Sequence, residues 1–555
     1  MKRKKKRVIK EILRIILILL CLLMIAFLIM EILKDEKVLG MYTASTDPEV
    51  ALYDESFNEV TKLRRSLKLE VSEKVYTNDN LEYRKTKQDG NVYYILNDNL
   101  KDSYDDSVLE KYMYVKTPVT IYKDIKGYEI ASFAPKASTL EVIGFDEVND
   151  GVVNAYKVKY DEDTGYVYSK YLSQTKEEAE KVYDEENTYA IHKDREYSYE
   201  LYGGHASQLD YYPYKKANIK GNVMPDEAKT LYLNAGVLES IDDYINLAKS
   251  SSINAFVIDI YDGYMAYESE VAKKYSESAY NSAAWTKDEY KSFIDKVKNS
   301  GIYVIGRIVA FNNPHFAKDN KDDAISYNGN ALSWVSAYSR KAWEYNAALA
   351  LEAIKEFGFN EIQYDYVRFP ESSYSWSVNK GYDFKNKYNE SKGEAIQNFL
   401  FYATDKIHEA GAYISADVFG EAAYSYVTAY GQYWPAISNI VDVISAMPYP
   451  DHFNKYDFGF SVPVWTKPYE LMKAWASYAS ERQKEIPTPA KVRTWIQTYD
   501  TIREPYIVYG TSEIKGQIKA LYEAGLDNGF ITWNSGSSYK KYNSVSSAFK
   551  ENYRW

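Results

Sequence analysis

Cysteine is all but missing from this sequence: Cys21 stands alone among 555 residues. Internal disulfides and thiolate-bound metals are thereby excluded for the chain that follows it. Histidine is scarce too, and its five copies, His192, His205, His315, His408 and His452, show no H-x-x-H or similar ligand spacing, which gives a metal-dependent deacetylase little support. No glycine-rich loop of the phosphate-cradling kind is present, nor a convincing Ser-His-Asp arrangement. Beyond the opening MKRKKKR, which holds six cations, the chain is acidic, and its net charge is −11. Nucleic acid is therefore not an expected partner, and neither a cofactor nor a metal is expected.

Tyrosine is abundant instead. Its 58 copies pair an apolar ring with a polar tip, a chemistry suited to surfaces that meet sugars. The chain is too long for one core, and 46% hydrophobic residues suffice to fill two or more. One long apolar run, residues 12–33, is broken only by Arg14 near one end and Glu31 near the other. Its length suits a bilayer core, which takes about 20 residues. No small-x-small site closes the run as in a cleaved signal peptide, and bulky Leu20 precedes Cys21 where a lipoprotein site takes a small residue. The expectation is an uncleaved, single-pass anchor in the cytoplasmic membrane through residues 12–33, with residues 1–11 a basic cytoplasmic tail and the remainder extracellular.

Residues 34–110 read as a polar stalk, with a helix around residues 49–73 and a small hairpin in EYRKTKQDGNVYYIL that turns at Asp89-Gly90. From 111 to 175 the pattern becomes short strands: TPVTIYKD, STLEVIGFD and VVNAYKVKYDEDTGYVYSKYL. The last resembles the closing hairpin of bacterial SH3-like domains, including its Gly165-Tyr166-Val167 step, and residues 83–100 echo its spacing as a degenerate first copy. The resemblance implies contact with cell-wall peptides or glycans; a plain spacer is the alternative. Residues 176–226 read as a linker.

Between 227 and 555, apolar β-runs alternate with helical segments eight times, the runs falling at 230–235, 255–261, 302–310, 361–369, 412–419, 441–447, 492–498 and 530–533. This predicts an α/β fold, a closed (β/α)8 TIM barrel preceded by the small all-β domain. In such barrels the chemistry sits at the C-terminal strand ends. There stand Asp259 and Asp262, Arg307, then Gln363, Asp365 and Arg368, then Asp417 and Glu421. Strand 6 adds Tyr449 and His452 beside Asp451, strand 7 Trp495 and Gln497, and strand 8 Trp533 and Asn534. Alternation puts Gln363 and Asp365 on one face, and Ser415 and Asp417 on one face, while strands about 4.8 Å apart let the two acids flank one reacting group. Arg368 offers an ion-pair partner for Asp365. Two carboxyl groups that titrate apart, with aromatic faces for sugar rings, are the equipment of glycoside hydrolysis.

The strings NAFVIDIYDGYMAY, GIYVIGRIVAFNNPHFAKDN, GFNEIQYDYVRFP, ISADVFG, AMPYPDHF, RTWIQTYD and GFITWNS resemble, in order, the motifs of a bacterial glycosyl hydrolase domain family of extracytoplasmic (β/α)8 barrels. The likeness covers about residues 227–537, and the strand-4 string is its most specific part. By similarity to the α-amylase and α-galactosidase clans, it implies Asp365 as nucleophile and Asp417 as acid/base, supported by Asp259 and Arg368. The other rim residues named above are read as substrate contacts. Tyr261 stands where the family has Lys, and Ala446 where it has Pro, which bears on substrate preference. Chitinase-like barrels end strand 4 in D-G-x-D-x-D-x-E; aligned on Asp365, their acid falls on Val367, so that mechanism is disfavoured. The expected function is a membrane-anchored extracellular glycosidase acting on a cell-wall or capsular polysaccharide or a peptidoglycan-associated glycan. The alternative is a noncatalytic envelope protein that binds glycan through the barrel cleft and the SH3-like domain.

Overall fold

The computed structural model describes residues 2–32, 37–45, 49–108, 110–146, 148–149, 152–184, 186, 188–191 and 203–554. The chain forms two compact units, one of residues 1–113, 141–158 and 168–174 and one of residues 114–140, 159–167 and 175–555.

Helix α1, Lys2–Ile32, takes in the cationic start and most of the apolar run. Among the described residues no helix is long and apolar enough to cross a membrane. Between Arg14 and Glu31 the sequence carries no charge from Ile15 to Met30, and the side chains of residues 15–26 are the described part of that stretch. The rest of the expected span, residues 27–33, lies outside the described side chains, as does His192.

The expected stalk is instead a sheet. Strands β1 (Val38–Thr43), β2 (Glu49–Tyr53), β3 (Glu59–Arg64), β4 (Lys68–Asn78), β5 (Leu81–Gln88), β6 (Asn91–Leu96) and β7 (Leu100–Lys101) pair in the order β3-β2-β6-β5-β4-β1-β7. The helix expected at 49–73 is absent because the burial there has period 2: Leu69 and Val71 are buried while Lys68 and Glu70 are exposed. A second sheet uses β8 (Tyr112–Val115), β9 (Val119–Tyr122), β10 (Ile130–Ala134), β11 (Thr139–Phe145), β12 (Ala155–Tyr160), β13 (Asp163–Tyr168) and β14 (Leu172–Ser173). Its order, β10-β9-β13-β12-β11-β8-β14, repeats the first strand for strand. Gly165 in β13 lies so close to β9 that an added Cβ would collide with the Tyr122 carbonyl oxygen.

The C-terminal region is a parallel barrel. Its strands are β15 (Ala228–Leu233), β16 (Ala255–Tyr261), β17 (Tyr303–Val309), β18 (Glu361–Asp365), β19 (Tyr413–Phe419), β20 (Val443–Met447), β21 (Lys491–Val492), β22 (Thr494–Gln497) and β23 (Gly529–Trp533), ordered β21-β20-β19-β18-β17-β16-β15-β23-β22. β21 pairs with β20 and β22 with β23. Only Arg493 separates them, and its N–H donates to the Ile444 carbonyl at 3.1 Å. Nine segments thus fill eight positions of a nearly closed ring. Helices α2 (Ile241–Ser251), α3 (Lys287–Asn299), α4 (Arg340–Phe357), α5 (Lys392–Glu409), α6 (Pro468–Lys484) and α7 (Thr511–Glu523) follow strands of the ring; α3 and α5 start from capping boxes at Thr286 and Ser391.

Two expectations change here. β18 stops at Asp365 rather than at 369, because Tyr366 turns into the left-handed region at φ 50°. Residues 203–226, expected as part of a linker, are strapped to the N-terminal end of the barrel. Asn222 donates to the carbonyls of Asn360 and Gly411, which lead into β18 and β19, at 2.8 and 3.0 Å, and Lys216 to those of Ser438 and Val441 at 2.8 and 2.6 Å.

Candidate active site

The inward side chains of β18 are Glu361, Gln363 and Asp365, all polar and all buried. Each meets a partner across the ring. Glu361 binds Arg493 at 2.9 Å and accepts from Tyr303 at 3.2 Å. Gln363 reaches Ser445 at 3.4 Å. Asp365 accepts from Arg307 Nη2 at 2.6 Å and from the Tyr366 N–H at 2.6 Å. The strained turn at Tyr366 therefore aims Asp365: the backbone amide that leaves the strand is the one that holds its carboxylate.

Arg307, on the adjacent β17, is the hub. Its Nη1 donates to Asp259 Oδ1 at 2.8 Å and to Asp262 Oδ2 at 3.0 Å, and its Nε lies 3.9 Å from Asp417 Oδ2. The guanidinium also sits 5.5 Å from the Tyr232 ring and 5.8 Å from the Trp533 ring. Four carboxyl groups from three strands and the loop after β16 thus converge on one buried cation. Asp259 accepts further from the Tyr232 hydroxyl at 2.6 Å. Asp417 Oδ1 accepts from Trp495 Nε1 at 2.7 Å, while Oδ2 has no hydrogen-bond partner among the described residues.

One positive charge cannot balance four carboxyl groups, three of them buried, and the excess appears as raised pKa values at two of them. Burial, then the Asp365 charge, push Asp417 well above the usual carboxylate range, against the weaker pull of Arg307 and Trp495. Burial pushes Asp259 up to about 6, against the pull of Arg307. Because indole N–H can only donate, Trp495 fixes Oδ1 of Asp417 as the acceptor and leaves Oδ2 to carry the proton.

A cavity of about 790 Å³ opens over the ends of β18, β19 and β20. It begins at Tyr366 and runs past Arg368, Glu371, Glu421 and His452. Asp365 and Asp417 lie behind its lining, Asp365 with 6% of its side chain exposed and Asp417 with none. Asp262, at 38%, is the open member of the cluster. Arg368 is not the partner of Asp365: its Nη2 meets Glu371 at 3.2 Å and Nη1 the Phe369 carbonyl at 3.1 Å.

A family model described as "Putative glycosyl hydrolase domain" matches residues 230–539, more than half of the chain and all of the barrel strands just described bar the first residues of β15. The chain belongs to that family. Among solved structures, similarity is found to a hypothetical protein from Ruminiclostridium thermocellum, 31% identical over 34% of this chain and 97% of that one, TM-score 0.29. The PgaB (BpsB) glycoside hydrolase domain from Bordetella bronchiseptica is 9% identical over 58% and 99%, TM-score 0.41. A class V chitinase from Pseudomonas fluorescens is 12% identical over 59% and 99%, TM-score 0.38. No curated protein matches.

In this glycosyl hydrolase domain the remaining rim residues divide by depth. Trp495 is 1% exposed and stands behind Asp417 rather than offering a face to solvent. Tyr449 is buried with its ring nearly parallel to half-buried Trp533, 6.2 Å away. Gln497 and Asn534 are loop scaffolds: Gln497 accepts from the Asp451 N–H and donates to its carboxylate, and Asn534 donates to the Thr498 carbonyl. Glu421 accepts from Tyr426 and Tyr430 at 2.8 and 2.9 Å, and His452 is exposed on the cleft. Tyr232 and the Glu361–Arg493 pair were not anticipated. The inward parity of LYL in β15, and an acid opening a buried strand, were the signals that could have found them.

Proposed function

We propose that this family member is a glycosidase in which Asp417 donates a proton to the leaving oxygen and Asp365 acts as nucleophile or base. The observation that carries the reading is the convergence of the two carboxyl groups on Arg307, where burial and the Asp365 charge together set Asp417 far above its ordinary pKa. Asp259, Tyr232 and Arg307 would hold the pair in place. The substrate is proposed to be an envelope polysaccharide, bound in the cleft that starts at Tyr366, and the two β-sheet repeats, SH3-like in sequence, would meet the same wall. The proposed location is outside the cell, with the apolar part of α1 against the cytoplasmic membrane; protease protection in intact cells and carbonate extraction test that placement. Asp365→Asn and Asp417→Asn should each lower hydrolysis of wall glycan by about 10³-fold or more with the native fold retained. Undiminished turnover in either variant removes that residue from the chemistry.

A second reading, glycan binding without turnover, is favoured by one observation: Asp417 is fully enclosed and neither acid lines the cavity. It requires that the wild-type chain release no reducing ends from any glycan it binds.

A further inference from the structure

We infer that the cleft over β18, β19 and β20 is built for a glycan bearing free amino groups, an amino-sugar chain in its cationic form, and against chains that carry carboxylate or phosphate. The inference rests on the reading of the barrel as a glycan site.

The cleft holds the carboxylates Glu371, Glu421 and Asp457. Apart from His452, its only cation is Arg368 among the described residues that line it. That guanidinium is already engaged. It is 3% exposed, lies 4.3 Å from the Phe419 ring and 4.8 Å from the Tyr366 ring, and donates to Glu371 and to the Phe369 carbonyl. His452, with 54% of its side chain exposed, has its pKa held down by partial desolvation of the ring, against the pull of Asp451 and Glu371. Behind Tyr366, Arg307 faces Asp259, Asp262 and Asp365 with a single charge. With Glu371 paired to Arg368 and the next cation, Arg503, donating to the Asp451 and Phe453 carbonyls, Glu421 and Asp457 leave the described lining with an excess of negative charge, whose field low-dielectric walls concentrate.

An anionic sugar entering here would find no free donor of opposite charge and would be repelled, which is how a site rejects a wrong ligand. An ammonium group meets the opposite situation. Glu421 is presented with both oxygens oriented by the phenols of Tyr426 and Tyr430, and the Glu371 side chain is 69% exposed at the rim. Tyr424, Tyr478 and Phe458 form a run of ring contacts at 5.4 and 5.9 Å along the same cavity, and such faces suit both sugar rings and cations.

Calorimetric titration of the full chain tests this with three sets of probes: β-1,4- and β-1,6-linked glucosamine oligomers, their fully N-acetylated counterparts, and a uronate oligomer of equal length. Glucosamine oligomers should bind at least about tenfold more tightly than the N-acetylated ones, a difference of 1.4 kcal/mol or more on the usual conversion, about one decade, and the uronate not at all. The preference should shrink in about 0.5 M salt and in Glu421→Gln. It should shrink likewise in Glu371→Gln, whose amide oxygen can still accept from Arg368. Equal or tighter binding of acetylated or uronate oligomers, a preference unchanged in both variants, or no binding of any probe overturns the inference. A parallel reducing-end assay separates it from the catalytic reading. Selective binding without product upholds the inference while overturning hydrolysis, and hydrolysis confined to acetylated oligomers does the reverse.

Discussion

At the scale of single residues, the barrel mouth is governed by a shortage of positive charge. Enclosure and the Asp365 charge push the pKa of Asp417 upward, and Trp495 donates to one of its oxygens. The indole hydrogen bond favours the ionised form, so its loss should raise the pKa of Asp417 further. Trp495→Phe should therefore move the alkaline limb of the kcat/KM profile to higher pH while lowering the rate about tenfold; a rate loss with the limb unmoved would make Trp495 a packing residue only. Asp259 gives a second, thermodynamic reading of the same shortage. Its folded pKa, about 6, exceeds the ordinary value near 4. The folded chain thus keeps a proton that the unfolded chain releases first, and the stability this supplies is full below pH ~4 and lost as pH rises to ~6, about 3 kcal/mol. Denaturant midpoints measured between those pH values should fall, and should fall less in Asp259→Asn.

At the scale of elements, the sequence located the barrel strands to within a residue or two at most ends, because β-runs flanked by helical periodicity leave little choice. It misplaced the end of β18, since nothing in YDYVRFP announces a left-handed tyrosine. It misread residues 49–73 as helix because charged residues alternating with Leu and Val were counted for content instead of period. Depth was the least visible quantity: Trp495 and Trp533 look alike in the sequence, yet one is enclosed and one half-buried. The Gly165-Tyr166-Val167 step carried more than a resemblance, because Gly165 is where β13 passes closest to β9. Gly165→Ala should cost about 1–3 kcal/mol, measured by thermal unfolding, with barrel activity retained; an unshifted transition would show that β9 can move aside.

At the scale of the whole molecule, the strap of residues 203–226 makes a segment expected as a linker part of the barrel's underside. Asn222→Ala removes its two bonds to the carbonyls before β18 and β19 and leaves Asn360 short of an acceptor. A loss of about 1–3 kcal/mol is expected, and native-state hydrogen exchange should show the strap opening before the strands; equal protection in variant and parent would count against it. The stack of Glu361, Gln363 and Asp365 has a further effect. A parallel strand can slide by two positions without turning its inner face outward, so hydrophobic patterning alone tolerates that error. Here such a slide would strip Glu361 of Arg493 and Asp365 of Arg307 together, stranding two buried charges. The ion pair at the foot of the barrel thus acts as a gauge block: it sets the height at which the upper acid stands.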